Sequence, residues 1–175
     1  TMDVTDAAGV KEIVGHGLLA AGNLAHAQVD YKTAWSQLEE ALTLYREIGV
    51  KPNIAHGLMN LSIVAINQAD YGTARRLLEE ALALWHELAN KQGIAHVLMN
   101  LSNVSYYQSD YGTAWSLMEE VLALNRELGD KIGIPNALVN LGYIATDQGD
   151  YVAARRLLEE TLILYREFGN KHGSA

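Results

Sequence analysis

Three asparagines recur at intervals of 40 residues, at Asn60, Asn100 and Asn140. A carboxamide has an acceptor oxygen and two N–H donors, so it can bond both groups of an extended peptide backbone without contacting the peptide side chains. The alternative is that each amide bonds a neighbouring helix and contributes to packing between repeats. Either role requires the three residues to lie at equivalent places in a repeated element.

Histidines show the same interval at His16, His56 and His96, which raises the question of a metal site. Equivalent residues of stacked helical repeats are separated by two helix layers of about 8–10 Å each, whereas the ligands of one zinc ion lie about 2 Å from it. The spacing is too long for one shared ion, so we expect no metal and no other cofactor. A pH-dependent contact stays open, because free histidine titrates near a pH of about 6.5.

Acidic pairs occur at four positions, from Glu39–Glu40 to Glu159–Glu160, and in isolation could suggest acid–base catalysis. Their fourfold repetition on a predicted solvent-exposed helix implies no pocket. The sequence also has no cysteine for a thiolate nucleophile and no glycine-rich phosphate loop. We therefore expect that the chain is not an enzyme and has no catalytic residues.

Composition narrows the classes of partner. The 175 residues are 49% apolar, which is enough to bury a continuous core. A net charge of −8 argues against nucleic-acid binding, which needs a basic face. No uninterrupted apolar run is long enough to span a bilayer, and the first 30 residues lack the pattern of a signal peptide. We expect a soluble, cytoplasmic protein with no nucleic-acid or membrane partner.

Internal repetition organises the whole chain. Residues 55–94 and 95–134 are identical at 25 of 40 positions, and further copies occupy 15–54 and 135–174. An Asp-Tyr pair recurs at Asp30, Asp70, Asp110 and Asp150. These intervals predict a single domain of about four repeats, which we expect to be part of a longer protein.

Each repeat is predicted to contain two helices. Leu58, Leu61, Ser62 and Ala65 have the i, i+3, i+4, i+7 spacing of one helical face, and the small residues allow another helix to approach closely. The recurring Asp of each repeat is a preferred residue for a helix N-cap. Glycines such as Gly49 follow the second helix, where a residue in the left-handed conformation commonly ends a helix. No strand pattern is present, so the chain is predicted to be all-α.

Each unit resembles the tetratricopeptide repeat. The resemblance is carried by Leu-Gly or Leu-Ser, followed by Gln-x-Asp-Tyr, then Ala, then Leu-Glu-Glu-Ala-Leu. The 40-residue period is similar to the extended repeats of kinesin light chain, of Pins-type adaptors and of bacterial regulators. The resemblance implies an α-solenoid, a superhelical array of antiparallel helix pairs whose first helices line a concave groove. It also implies a protein or peptide partner.

The distribution of charge fits such a groove. Of 34 charged residues, 29 lie in the second-helix stretches 30–51, 70–91, 110–131 and 150–171. The first-helix stretches 53–69 and 94–109 contain none. We therefore expect an uncharged binding face on the first helices and a solvated surface on the second helices.

Some residues of the first helices lie outside the stripe of leucines and small residues. Their helical phase predicts that they line the groove. The first repeat has Ala20 in place of the asparagine. Co-chaperones of the family that this chain resembles bind a C-terminal carboxylate through Lys and Arg at the inner positions. This chain lacks those cations, so a ligand with a terminal carboxylate is disfavoured. The predicted peptide-binding residues are Asn23, Asn60, Asn100, Asn103, Asn140, His56, His96, Met59, Met99, Tyr106, Tyr107 and Tyr143.

Three functions remain open. The first is a protein-interaction module that binds a peptide segment in an uncharged, asparagine-lined groove. The second is a ligand-sensing domain of a bacterial signalling or transcription regulator, and the third is a structural self-assembly element. Helix 151–168 carries leucines at 157, 158, 162 and 164 with no polar cap after it, which predicts more repeats or self-association through this helix.

Overall fold

The computed structural model describes residues 4–170, with side chains for residues 7–167. The described residues form eight α-helices and no strand, which confirms the predicted all-α fold. The helices are α1 (Val4–Ala27), α2 (Tyr31–Ile48), α3 (Lys51–Asn67), α4 (Tyr71–Glu87), α5 (Lys91–Tyr107), α6 (Tyr111–Leu128), α7 (Gly133–Asp147) and α8 (Tyr151–Asn170).

The helices form two compact units, α1–α4 and α5–α8. In each unit, successive helices pack as two pairs, and the second helix of one pair packs on the first helix of the next. Helix α1 begins at Val4, well before the predicted start of the first repeat at residue 15. The extra turns still contact α2, since Lys11 Nζ forms an ion pair of 2.8 Å with Glu47 Oε2.

The predicted stripe of the first helices forms the core. Leu58, Leu61, Ser62 and Ala65 of α3 are all at most 2% exposed, and the equivalent residues of α5 and α7 are also buried. Small residues bring paired helices together as predicted: a Cβ added to Gly22 would lie 2.7 Å from Leu38 Cγ. Side-chain size at these positions therefore sets the separation of the two helices of a pair.

Aspartates begin the second helices, as predicted. Asp30, Asp70 and Asp110 each accept a hydrogen bond at Oδ1 from the backbone N–H three residues later, at 3.1, 3.0 and 3.1 Å. The bonds from Thr33 and Thr73 hold the pKa of Asp30 and Asp70 below the ordinary value of 3.8. The caps satisfy amides that the first helical turn leaves unpaired.

The caps of the first unit predict a specific loss of stability in acid. A carboxyl group whose pKa is lowered by folding stabilises the folded state above its unfolded pKa, and this stabilisation is lost as the pH falls through the folded pKa. We expect the urea midpoint of the first unit to fall between about pH 5 and pH 2. The double variant Asp30→Asn, Asp70→Asn keeps a capping oxygen and should show a smaller fall; an equal fall would show that other groups cause it.

The turn inside each helix pair contains a residue in the left-handed region. The φ angles are 63° at Val29, 58° at Ala69, 62° at Ser109 and 79° at Gly149. Only the fourth repeat has glycine there, although the left-handed region disfavours residues with a Cβ and β-branched residues most of all. The predicted C-cap glycine is confirmed at Gly49, with φ 72°.

Val29→Gly should stabilise the first unit by about 1 kcal/mol, because it removes the strain of a β-branched residue at positive φ. Val29 is 65% exposed, so its side chain contributes little burial. The reverse substitution at the equivalent turn, Gly149→Val, should destabilise the second unit by a similar amount. Urea unfolding measures both, and a loss of stability in Val29→Gly would contradict the strain argument.

Surface ion pairs join the helices, and most of their residues lie on the second helices, as the charge distribution predicted. Lys51 and Lys91, assigned above to the second-helix stretches, instead begin the first helices α3 and α5. One set joins the start of a first helix to the end of its partner, and another joins successive second helices. All partners are about half exposed, so each pair contributes about 0–1 kcal/mol. The pairs between helices are Lys11–Glu47, Lys51–Glu87, Lys91–Glu127, Arg46–Glu80 and Arg126–Glu160.

Helix α8 presents an open apolar face within the described part of the chain. Leu162 and Tyr165 are 55% and 50% exposed, whereas their equivalents in α2, Leu42 and Tyr45, are 4% and 0% exposed beneath α3. Self-association through this helix stays a prediction.

Candidate functional site

Five of the twelve predicted binding residues line one pocket in the second unit, between α5 and α7. The pocket has a volume of about 170 Å³ and is called the tyrosine pocket below. Its predicted residues are Asn103, Tyr106, Tyr107, Asn140 and Tyr143, and Ser102, Met118 and Ile144 complete the lining.

The floor of the tyrosine pocket is buried and mainly apolar. Ser102 Oγ donates a hydrogen bond of 2.7 Å to the backbone C=O of Ala114, which fixes α5 on α6. Met118 and Ile144 are 0% and 3% exposed, so the bottom of the pocket is apolar. Ser102 lies one repeat after Ser62, in the predicted core stripe, and Met118 was not among the predicted residues. The only signal was that methionine replaces leucine in that column of the repeats.

Tyr106 is held in a defined orientation. Its hydroxyl donates a hydrogen bond to Asp147 Oδ2, which joins the C-terminal ends of α5 and α7. This bond, with a smaller effect of desolvation, raises the pKa of Tyr106 to about 12. The ring centroid of Tyr106 also lies 5.7 Å from those of Tyr107 and Tyr111. The hydrogen bond and the ring contacts together fix the side chain of Tyr106 at the pocket.

The first unit has a similar bond in the corresponding place. Asn67 Nδ2 lies 2.5 Å from His26 Nε2, and the two residues are 41 apart, like Tyr106 and Asp147. At the other end of α1, Asn53 Nδ2 donates to Glu12 Oε1 at 3.2 Å. Polar bonds of this kind fix neighbouring first helices and leave fewer groups for a ligand.

The asparagine column is half-buried. Within the described side chains, residues 7–167, the carboxamides of Asn60, Asn100 and Asn140 have no hydrogen-bond partner. Asn140 lines the tyrosine pocket, and Asn100 lies one turn before Asn103 on α5. Ligand binding by this column stays a prediction.

The other predicted residues have different surroundings. Asn23 is exposed on α1. The His56 ring meets the Trp85 ring edge-on at 5.0 Å between centroids, and Trp85 Nε1 donates to Met59 Sδ at 3.4 Å, so His56 and Met59 contribute to packing in the first unit. His96 and Met99 line a second pocket of the second unit, with a volume of about 120 Å³.

Neither a metal cluster nor a membrane-spanning helix is found in the described part of the chain. No three His, Asp or Glu side chains in the described part of the chain are arranged to bind a metal ion. None of the helices α1–α8, as far as they are described, is long and apolar enough to cross a membrane.

Consecutive packed helix pairs with a 40-residue sequence period define a helical-repeat protein. Models of the tetratricopeptide repeat family match residues 53–127 and 136–167, and the chain belongs to this family. No curated protein matches the sequence.

Solved structures show the same fold. BtubC (BKLC) from P. vanneervenii has a TM-score of 0.79 at 21% identity, over 97% of this chain and 67% of that protein. A Rap protein complexed with Competence and Sporulation Factor has a TM-score of 0.82 at 16% identity, over 96% of this chain and 46% of that protein. A putative kinesin light chain from Podosopora anserina has a TM-score of 0.74 at 14% identity, over 89% of this chain and 76% of that protein. The chain spans less than half of the Rap protein.

Proposed function

We propose that the chain is a protein-interaction module whose second unit binds a peptide segment along α5 and α7. One side chain of the peptide enters the tyrosine pocket, and the asparagine amides beside it bond the peptide backbone. The observation that carries this proposal is the convergence of three tyrosines and two asparagines, none of them charged, on one pocket.

The size of the pocket favours a peptide side chain over a whole small molecule. Pockets for drug-sized ligands have volumes of about 300–1,000 Å³, and the tyrosine pocket has about 170 Å³. Its apolar floor, formed by Met118 and Ile144, and its tyrosine walls suit an apolar or aromatic side chain. The tyrosine pocket is therefore too small to enclose a whole ligand of that size.

The amides of Asn100 and Asn140 provide the second part of the interaction. Both are half-buried and have no hydrogen-bond partner among the described side chains, so each can bond the N–H and C=O of a peptide residue. Each such bond contributes about 0.5–1.5 kcal/mol net. With the contacts of one buried side chain, this suggests an affinity of roughly 1 μM.

The charges around the tyrosine pocket favour binding of an internal segment of the partner over binding of its C-terminus. No Lys or Arg lines the tyrosine pocket, and the carboxylate of Asp147 at its edge is bonded to Tyr106. A terminal carboxylate would therefore lack a charge-assisted bond and would lie near a like charge. The Rap protein of similar fold, complexed with Competence and Sporulation Factor, supports binding of a partner by this architecture.

A peptide array tests the proposal, with Tyr143→Ala as the site variant. Tyr143 is 59% exposed and lines the pocket, whereas Tyr151, 70% exposed at the start of α8, does not. Affinity for the selected peptides, measured by calorimetry, should fall at least about tenfold in Tyr143→Ala. Tyr151→Ala is the matched control and should bind like the unmodified chain.

Two results would contradict the proposal. One is an array with no bound peptide although the chain is folded by circular dichroism. The other is an equal effect of Tyr143→Ala and Tyr151→Ala, which would place the peptide elsewhere.

A further inference from the structure

The proposed function leaves the pocket lined by His96 and Met99 without a role. This pocket, called the asparagine pocket below, lies at the N-terminal ends of α5 and α7 and has a volume of about 120 Å³. Two asparagines, one aspartate and one histidine supply its polar groups, and apolar residues and one glycine supply the rest. The residues that matter here are His96, Met99, Asn125, Asp130, Gly133 and Asn136.

A single column of the repeat explains why the pocket exists. The histidines at 16, 56 and 96 are each followed, 29 positions later, by a residue at the same place in the repeat. These residues are Tyr45, Trp85 and Asn125. In the first unit, Tyr45 and Trp85 are 0% and 3% exposed, and their rings pack on His16 and His56. Asn125 is much smaller, so the volume that an aromatic ring fills in the first unit stays open beneath α5 in the second.

Asn125 places an unsatisfied polar group at this open volume. The residue is 7% exposed, and within the described residues its carboxamide has no hydrogen-bond partner. The amide borders the open pocket and bonds no protein group, so it is available to a ligand that supplies hydrogen bonds.

Asp130 contributes a carboxylate oxygen to the same space. Its Oδ1 accepts hydrogen bonds of 2.9 Å from the backbone N–H groups of Ile132 and Gly133, which fixes the side chain. A Cβ added to Gly133 would lie 2.5 Å from Asp130 Oδ2 and 2.6 Å from Asn125 Nδ2. Both polar atoms therefore lie beside a space that only glycine at position 133 leaves open.

We propose that the asparagine pocket binds the guanidinium group of an arginine side chain of the peptide that occupies the tyrosine pocket. The inference rests on the proposed function and adds the chemistry of a second peptide residue. The carboxylate of Asp130 attracts a cation, and a planar guanidinium with several N–H donors can bond Oδ2 and a carboxamide oxygen together. A rotation of the Asn125 carboxamide by about 180° about χ2 exchanges its oxygen and nitrogen and so directs the oxygen into the pocket.

The two pockets also fit the spacing of one peptide. His96 lines the asparagine pocket and Asn103 the tyrosine pocket, and seven residues of α5 separate them. At about 1.5 Å per helical residue the separation is about 10 Å, which an extended peptide spans in about three residues. The peptide should therefore carry arginine about three positions from its apolar or aromatic residue.

Methylguanidinium is the probe that tests the pocket independently of any peptide. The ¹⁵N-labelled chain is titrated with it, and the side-chain amide signals of Asn125 and Asn136 are followed by NMR. Saturable shifts with a millimolar dissociation constant are expected, while sodium acetate at equal ionic strength should give none. Two variants close the space: Asn125→Tyr restores the kind of residue found at Tyr45, and Gly133→Ala places a methyl group between the polar atoms.

Each variant should weaken methylguanidinium binding at least tenfold, followed through the Asn136 signals, whereas Tyr143→Ala should not change it. The inference is overturned if the unmodified chain shows no saturable shift, if acetate gives the same shifts, or if a folded Asn125→Tyr or Gly133→Ala variant binds as before. Peptide binding that depends on Tyr143, without methylguanidinium binding, would leave the proposed function standing and remove only this inference. Methylguanidinium binding without any bound peptide would leave a guanidinium site but contradict both the proposed function and the assignment of this site to a peptide arginine.

Discussion

Trp85→Ala should lower the free energy of unfolding of the first unit by about 3–5 kcal/mol, which is typical of the removal of a buried tryptophan. Trp85 is 3% exposed, its ring packs edge-on against His56, and its Nε1 donates to Met59 Sδ at 3.4 Å. Removing the indole empties the space between α3 and α4 and leaves the thioether without its donor. Urea unfolding followed by circular dichroism measures the loss.

Trp115→Ala is the matched control for this prediction. Trp115 is half-buried and lines the open cleft between α6 and α8, so its removal creates no closed cavity. We expect a loss of about 1–2 kcal/mol in the second unit. A loss below about 1 kcal/mol for Trp85→Ala would contradict the packing role of its column.

The second large effect concerns binding. The double variant Asn100→Ala, Asn140→Ala should weaken the affinity for a selected peptide by about 10–100-fold, because the peptide backbone loses several hydrogen bonds and its groups become buried without partners. Neither amide has a partner in the described part of the unbound chain, so the variant should keep its stability within about 1 kcal/mol. Calorimetry and urea unfolding give the two quantities separately.

Asn67→Ala is the control for this double variant. It also removes a carboxamide, but one that bonds His26 in the first unit. We expect it to change the stability of the first unit and to change peptide affinity by less than about twofold. The opposite pattern would favour the alternative role: if the Asn100 and Asn140 amides serve only packing, their loss lowers stability and leaves affinity unchanged.

Much of the fold could be predicted because the repeat makes each position visible four times. The stripe that includes Leu58 and Ser62 is buried, and the Asp30 column caps the second helices, since both depend on local spacing and on chemistry within one helix. The start of α1 at Val4 was not predicted, because its first turns depart from the repeat.

The candidate site was predictable only in part. Helical phase selects Tyr106, Asn140 and Tyr143 as residues outside the core, but it does not show that they line one pocket with Met118 as its floor. Contacts between helices, such as the bond of Tyr106 with Asp147, depend on the tertiary distance between two helix ends. Asn125 was overlooked, although the column of Tyr45 and Trp85 contains the signal, a loss of side-chain volume at one repeat.

The most direct test of the central claim is a structure of the chain bound to a peptide selected from the array. We predict that one apolar or aromatic side chain of the peptide lies in the tyrosine pocket, in contact with Tyr107 and Tyr143. Peptide backbone N–H and C=O groups should lie within hydrogen-bond distance of the Asn100 and Asn140 amides. A peptide bound on the charged surface of α6 and α8, with the tyrosine pocket empty, would contradict the account.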